Sequence, residues 1–184
     1  IDEIQMADYL PRNLACIQQW LDKAPDAHNW DTYLQAELTL EGKINELSQR
    51  KHSLRQKIKM LKHVDLRRSD PLGDGSIYPM VTAFYCAASA TSSKKEWQQF
   101  MNGIIGLVAP GGTLIVSDFR FTDQYHVGNM VFPNAHVNEQ DMEQFLLTHP
   151  SIAHDSIDVK PLSFSGWEHE GLSGFMIATA LTNV

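Results

Sequence analysis

Apolar and β-branched runs alternate with helical stripes along almost the whole of this chain, and that alternation is what most restricts its fold. Ile1 to Ala7 alternates apolar and polar residues, which predicts a short strand ending near Asp8. Pro11 suits the first turn of a helix, and Leu14, Ile17 and Leu21 recur at helical spacing with Trp20 beside them. Lys23-Ala-Pro-Asp ends that helix. Asp31 is placed to cap the next, which carries Tyr33, Leu34, Leu38 and Leu40. Ile44, Leu47, Leu54 and Ile58 form another stripe over 43–59, and Met60 to Leu66 reads as a strand. Tyr78 to Cys86 is a dense apolar run bounded by turns, the pattern of a buried central strand.

Ser92 or Ser93 caps a helix through Trp97, Phe100, Met101, Ile104, Ile105, Leu107 and Val108, with Pro110-Gly111-Gly112 as its stop. Thr113 to Ser117 is a further strand. After a loop, Asn138 starts a helix through Met142, Phe145 and Leu146 to His149-Pro150. Ile157 to Leu162 and Gly174 to Leu181 are the last two strands, and no crossover helix separates them. They predict an antiparallel hairpin closing a mostly parallel α/β sheet. No linker composition interrupts the chain, so residues 1–184 read as one domain.

A net charge of −7 argues against nucleic acid and anionic membrane as partners. No apolar run is long enough to cross a bilayer. Ile1-Asp2-Glu3 has neither the basic nor the apolar region of a signal peptide. Cys16 and Cys86, far apart and without a secretory signal, read as reduced thiols in a cytoplasmic protein. The opening on a strand without Met is what a piece of a longer chain would show.

In open α/β sheets, ligands bind beyond the carboxyl ends of the strands. The residues that matter most are therefore Asp8-Tyr9, Asp65-Leu66, Ala83 to Ala88, and Asp118 onward. A carboxylate at Asp8 is placed either to accept from the ribose hydroxyls of a nucleoside cofactor or to cap the following helix. Asn13 adds a polar group one helical turn on. Asp65 is either an acceptor for an adenine amino group or a solvated loop residue.

Nine of the 15 Lys/Arg residues lie between Lys43 and Arg68; they read either as an RNA- or phosphate-binding face or, as the apolar stripe there favours, as the solvated side of a helix. The eight histidines make no His-x-x-x-His pair, and metal binding is not expected. His126 stands out only because it neighbours Tyr125. Gly73-Asp-Gly75 is a turn, since no helix opens directly after it.

Four stretches together resemble the nicotinamide, phenylethanolamine and thioether methyltransferase family. They are Asp8-Tyr9-Leu-Pro-Arg-Asn13-Leu14; Val64-Asp65-Leu66 with Pro71-Leu72-Gly73; Val81-Thr-Ala-Phe-Tyr-Cys-Ala-Ala88; and Leu107-Val-Ala-Pro-Gly-Gly112-Thr-Leu-Ile-Val-Ser-Asp118. Trp20-Leu with Lys23-Ala-Pro-Asp-Ala and Trp30, and Glu170-Gly171-Leu172 before the final strand, fit as well. The resemblance implies a Rossmann-like class I methyltransferase sheet whose first strand and glycine-rich loop lie upstream of Asp8. It implies S-adenosyl-L-methionine as cofactor and a small molecule, at an amine nitrogen, as methyl acceptor.

By that resemblance, Asp8 and Asn13 hold the cofactor ribose, and Tyr9, Asp65 and Leu66 contact the adenine. Ala83, Phe84 and Tyr85 line its methionine side. Tyr125 and Asp118 fall on the substrate side and are the candidate catalytic residues. Family members commonly carry a carboxylate at the position of Ala87, where it pairs with the substrate's polar group. Here Asp118, Asp123 or Glu170 would substitute, the substrate differs, or catalysis has been lost.

The alternative function is therefore a catalytically inactive methyltransferase-like binding or assembly module. A nicotinamide-dependent oxidoreductase fits the acidic residue after an early strand, but not the closing hairpin or the Pro-Gly-Gly strand. An incomplete sheet would leave an open edge for self-association or a partner chain to cover.

Overall fold

The computed structural model describes residues 1–163, 165–166 and 171–184. The chain divides into two compact units, residues Ile1–Asp65 and Leu66–Val184.

The first unit contains strand β1 (Ile4–Asp8), helices α1 (Pro11–Leu21), α2 (Asp31–Leu40) and α3 (Leu47–Lys57), and strand β2 (Ile58–His63). The two strands are parallel, with Asp8 opposite His63. Their carboxyl ends therefore lie side by side. Pro11 occupies the first turn of α1, where a missing N–H costs nothing. Asp31 is the first residue of α2, and the Asn29 side chain accepts from its amide at 2.9 Å.

Several cations of the basic stretch are held within this unit. The Arg55 guanidinium lies 4.1 Å from the Trp20 ring centroid and donates to the Trp20 carbonyl at 2.9 Å. Arg50 grips Glu41 with two bonds of 3.0 and 2.6 Å, and Lys51 pairs with Asp31 at 2.5 Å. β2 starts and ends earlier than the Met60–Leu66 expected from sequence, because α3 runs into it without a turn.

The second unit contains β3 (Tyr78–Phe84), α4 (Lys94–Gly106), β4 (Val108–Phe119), β5 (Gln124–Val127), β6 (Met130–Pro133), α5 (Glu139–Thr148), β7 (Asp158–Ser163) and β8 (Gly174–Leu181). Its main sheet has the order β3-β4-β8-β7. β3 and β4 are parallel, and β8 is antiparallel to both β4 and β7. The closing hairpin thus enters the sheet by its last strand, and β7 forms the edge.

α4 buries Trp97, Phe100, Met101, Ile104 and Ile105, the i, i+3, i+4, i+7, i+8 pattern of one helical face. They pack with Leu114 and Val116 of β4, Met176, Ala178 and Ala180 of β8, and Met142, Phe145 and Leu146 of α5. Full burial of each large side chain is worth about 1.5–3 kcal/mol. Ser93 caps α4, its hydroxyl accepting from the Glu96 amide at 3.4 Å. Asn138 and Asp141 form a reciprocal capping box on α5.

Pro110-Gly111-Gly112 does not stop α4, as the sequence suggested; it lies inside β4. α4 has already ended at Gly106. Tyr78 pairs with Val108 but Met80 pairs with Thr113, so the Pro-Gly-Gly segment is a bulge in the β3–β4 ladder. Gly111 supplies the positive φ of 70° that this bulge needs. The antiparallel pair β5–β6 was not anticipated from sequence. Among the described residues, no helix is long and apolar enough to cross a membrane.

Candidate functional site

At the carboxyl end of β1 the chain turns into α1 through Asp8-Tyr9-Leu10. Asp8 organises this turn. One carboxylate oxygen accepts the Leu10 amide at 2.7 Å, and the other accepts the Asn13 side-chain amide at 3.0 Å. Asp8 therefore holds the backbone just before the helix while the helix cap residue is Leu10, which makes no side-chain cap bond. The turn leaves Tyr9 48% exposed, its ring 5.5 Å from His63 at the end of β2. Asp65 follows two residues after β2. The first unit thus gathers Asp8, Tyr9, Asn13 and Asp65 at one end of its parallel pair, with acceptors beside an open aromatic face.

In the second unit the corresponding end belongs to β3 and β4. Ala83 and Phe84 close β3, and Phe84 is half exposed. Tyr85 then adopts φ 55°, the left-handed region that costs a residue with a side chain roughly 1–2 kcal/mol. Three consecutive residues of β4 hold the chain there. The Ser117 carbonyl accepts the Tyr85 amide at 2.7 Å. An Asp118 carboxylate oxygen accepts the Ala88 amide at 3.2 Å. The Phe119 ring stacks on the Tyr85 ring, 4.6 Å between centroids and 23° between planes.

The stack continues in both directions. Phe175 meets Tyr85 edge-on at 6.2 Å. Phe119 meets Tyr125 at 5.3 Å, and Tyr125 stacks on Phe132, its cross-strand partner in β6, at 5.5 Å. The row Phe175–Tyr85–Phe119–Tyr125–Phe132 joins the residue expected on the cofactor side to the residue expected on the substrate side. Sequence reading missed Phe119, Phe132 and Phe175. Nothing in their spacing marks them, since they come from three different strands.

The remaining candidates are placed differently. Leu66 packs on Gly103 of α4 and against the core. Ala87 is 2% exposed and belongs to the core cluster. Asp118 is also 2% exposed, and its second oxygen accepts the Trp97 indole N–H at 3.1 Å. Burial raises its carboxyl to about 7, although the two N–H bonds work in the opposite direction. Asp123 pairs with His136 at 2.9 Å. His126 sits exposed on the hairpin opposite Val131. Glu170 lies outside the described residues. Among the described residues, no group of three or more His, Cys, Asp or Glu side chains could hold a metal ion.

The first unit's strand end offers acceptors for a diol beside an aromatic ring, and the second unit's offers π faces and a buried carboxylate; each by itself suits binding of flat or polar groups more than proton transfer.

The model of the NNMT/PNMT/TEMT family matches residues 1–172. Phenylethanolamine N-methyltransferase of Macaca mulatta is 26% identical over 150 residues, which cover 79% of this chain and 53% of that protein. Nicotinamide N-methyltransferase of Homo sapiens is 27% identical over 143 residues, covering 77% and 54%. The chain thus spans about half the length of these relatives. Among solved structures, an S-adenosylmethionine-dependent methyltransferase from Methanosarcina mazei superposes with a TM-score of 0.60 at 11% identity, over 99% of this chain and 82% of that one. The N-methyltransferase NodS from Bradyrhizobium japonicum, in complex with S-adenosyl-L-homocysteine, gives 0.52 at 11% identity, over 98% and 66%. The fold is that of the S-adenosylmethionine-dependent methyltransferases.

Proposed function

This chain belongs to the NNMT/PNMT/TEMT family, and from that premise we propose that it carries part of a site for methyl transfer from S-adenosyl-L-methionine to a small molecule, at an amine nitrogen. The observation that carries the reading is the Asp8–Asn13 pair at the end of β1, with Tyr9 open beside it. Its chemistry fits the cofactor: two carboxylate oxygens as acceptors for a ribose diol, an amide to fix their direction, and an aromatic face for adenine. Asp65 and Leu66 are assigned to the adenine side, and Ala83, Phe84 and Tyr85 to the methionine side.

The cofactor supplies an activated methyl group on a sulfonium. The protein's task is to align a neutral nitrogen lone pair with that carbon and to exclude water, and much of the rate comes from positioning. Tyr125, Phe119 and Phe132 form an aromatic wall for the acceptor, and their π faces favour the positive charge that develops on nitrogen. A general base is needed only when the amine arrives protonated. Ala87 offers no acceptor, so we assign the acceptor to neutral nitrogen compounds. Cys16 and Cys86, far apart in the sequence, fit a reducing, cytoplasmic setting.

Calorimetric titration of the full-length protein with S-adenosylhomocysteine tests this reading. Saturable binding is the expected result, and absence of heat at millimolar ligand eliminates it.

A further inference from the structure

Asp118 lies where a substrate-facing acid would be sought, but its contacts point elsewhere. Both oxygens are engaged, one by the Ala88 amide and the other by the Trp97 indole. The residue is 2% exposed. Trp97 is 1% exposed and packs on Phe145 of α5 at 5.4 Å, so the indole is a fixed donor from the core. The Ala88 amide belongs to the turn that leaves β3. That turn begins at Tyr85, whose left-handed backbone is unfavourable for a tyrosine and persists only where its surroundings hold it. Ser117, Asp118 and Phe119 hold it at three successive points. On the far side the Ala88 carbonyl accepts the Ala135 amide at 3.1 Å.

We infer that Asp118 is a positioning residue, which anchors the turn from Tyr85 to Ala88 against the end of β4 and acts on the ligands of the site through that turn without touching them. The functional part of this inference rests on the methyl-transfer reading above; the anchoring part does not. A carboxyl group suits the task, since its two oxygens can accept from both donors at once. Asparagine at this position offers one acceptor and turns an N–H toward the other donor. Among the described residues, no charged side chain bonds to Asp118, so its two N–H partners alone stabilise the charge.

The test uses the full-length protein with Asp118→Asn and Trp97→Phe. Trp97→Phe removes the indole donor but leaves the bond to Ala88, and serves as the structural control. Three readouts are taken: thermal midpoint, exchange rate of the Ala88 amide, and affinity for S-adenosylhomocysteine. In the wild type the Ala88 amide is protected. In Asp118→Asn it exchanges at least about tenfold faster and affinity falls about tenfold. In Trp97→Phe the midpoint falls while Ala88 protection and affinity are kept.

An unprotected Ala88 amide in the wild type overturns the anchor. So does affinity that falls in both variants in step with their loss of stability, or that is unchanged in Asp118→Asn. Should the wild type fail to bind S-adenosylhomocysteine, the methyl-transfer reading falls while the amide exchange still decides the anchor. If Asp118→Asn does not fold, Asp118→Ser takes its place with the same readouts, and unchanged Ala88 protection or unchanged affinity there overturns the proposal.

Discussion

Asn13 reaches back across the turn and donates to Asp8 at 3.0 Å, while the Leu10 amide occupies the other oxygen of the same carboxylate. The carboxylate is therefore oriented before any ligand arrives. Replacing Asp8 by Ala in the full-length protein should weaken S-adenosylhomocysteine binding by tenfold or more, on the order of a lost charge-assisted hydrogen bond. The thermal midpoint should move little, since the residue is only half-buried. Asn13→Ala should show the same direction with a smaller effect, and calorimetry on both variants checks the order.

The raised carboxyl of Asp118 makes stability depend on pH with a definite sign. Its folded value, about 7, stands above the ordinary 3.8 of a free aspartate. The native state thus binds the proton more tightly. Its contribution to stability is full below about pH 4, is lost as pH rises through 7, and is level beyond, with a slope approaching 1.4 kcal/mol per pH unit between. His149 is lowered by burial and Glu139 by Arg120, so both give trends of the opposite sign. Urea unfolding of the wild type against Asp118→Asn at pH 5, 6, 7 and 8 isolates the carboxyl's contribution. Stability of the wild type should fall relative to the variant over that range, and a rising difference would contradict the assignment.

Tyr125 packs between Phe119 and Phe132, and all three rings stand on the side assigned to the acceptor. With a turnover assay in hand, Tyr125→Leu should raise KM for the acceptor by about tenfold and leave S-adenosylhomocysteine affinity within error. A loss confined to the nucleoside ligand would place Tyr125 on the wrong side of the site.

Gly112 has no room for a side chain. A Cβ there would come within 2.8 Å of the Ala109 carbonyl oxygen, 2.9 Å of Val108 Cγ1 and 3.0 Å of the Pro79 carbonyl oxygen. Two of these are backbone atoms, which cannot rotate aside. Gly112→Ala should cost about 1–3 kcal/mol. Gly111→Ala meets only Val184 at 3.6 Å, so its cost should be the smaller one of a positive φ, roughly 1 kcal/mol. Chemical denaturation of the pair gives the ranking.

The order of elements was legible because it depends on local periodicity. The Ser93 cap, the Asn138 capping box and the strand Gly174–Leu181 follow from residues close in sequence. What failed to show was decided at long range. The Pro110-Gly-Gly segment has the composition of a helix stop, and only pairing with β3 makes it a bulge. β5 and β6 are four residues each, and β6 ends on a proline, so they are too short for a period to register. The candidate positions were read from strand ends, and the structure sets Asp8, Tyr9 and Asn13 together after β1, with Asp65 two residues past its partner strand β2. The burial of Asp118 was not, because Trp97 and Ala88 reach it from 21 and 30 residues away.

β8 follows β4 and β7 in the chain yet lies between them in the sheet. A ribosome therefore delivers the middle of the sheet after both of its flanks, and until then β4 and β7 stay unzipped along the edges that will face it. That order leaves two unpaired strand edges open to wrong pairing until the final strand has been made.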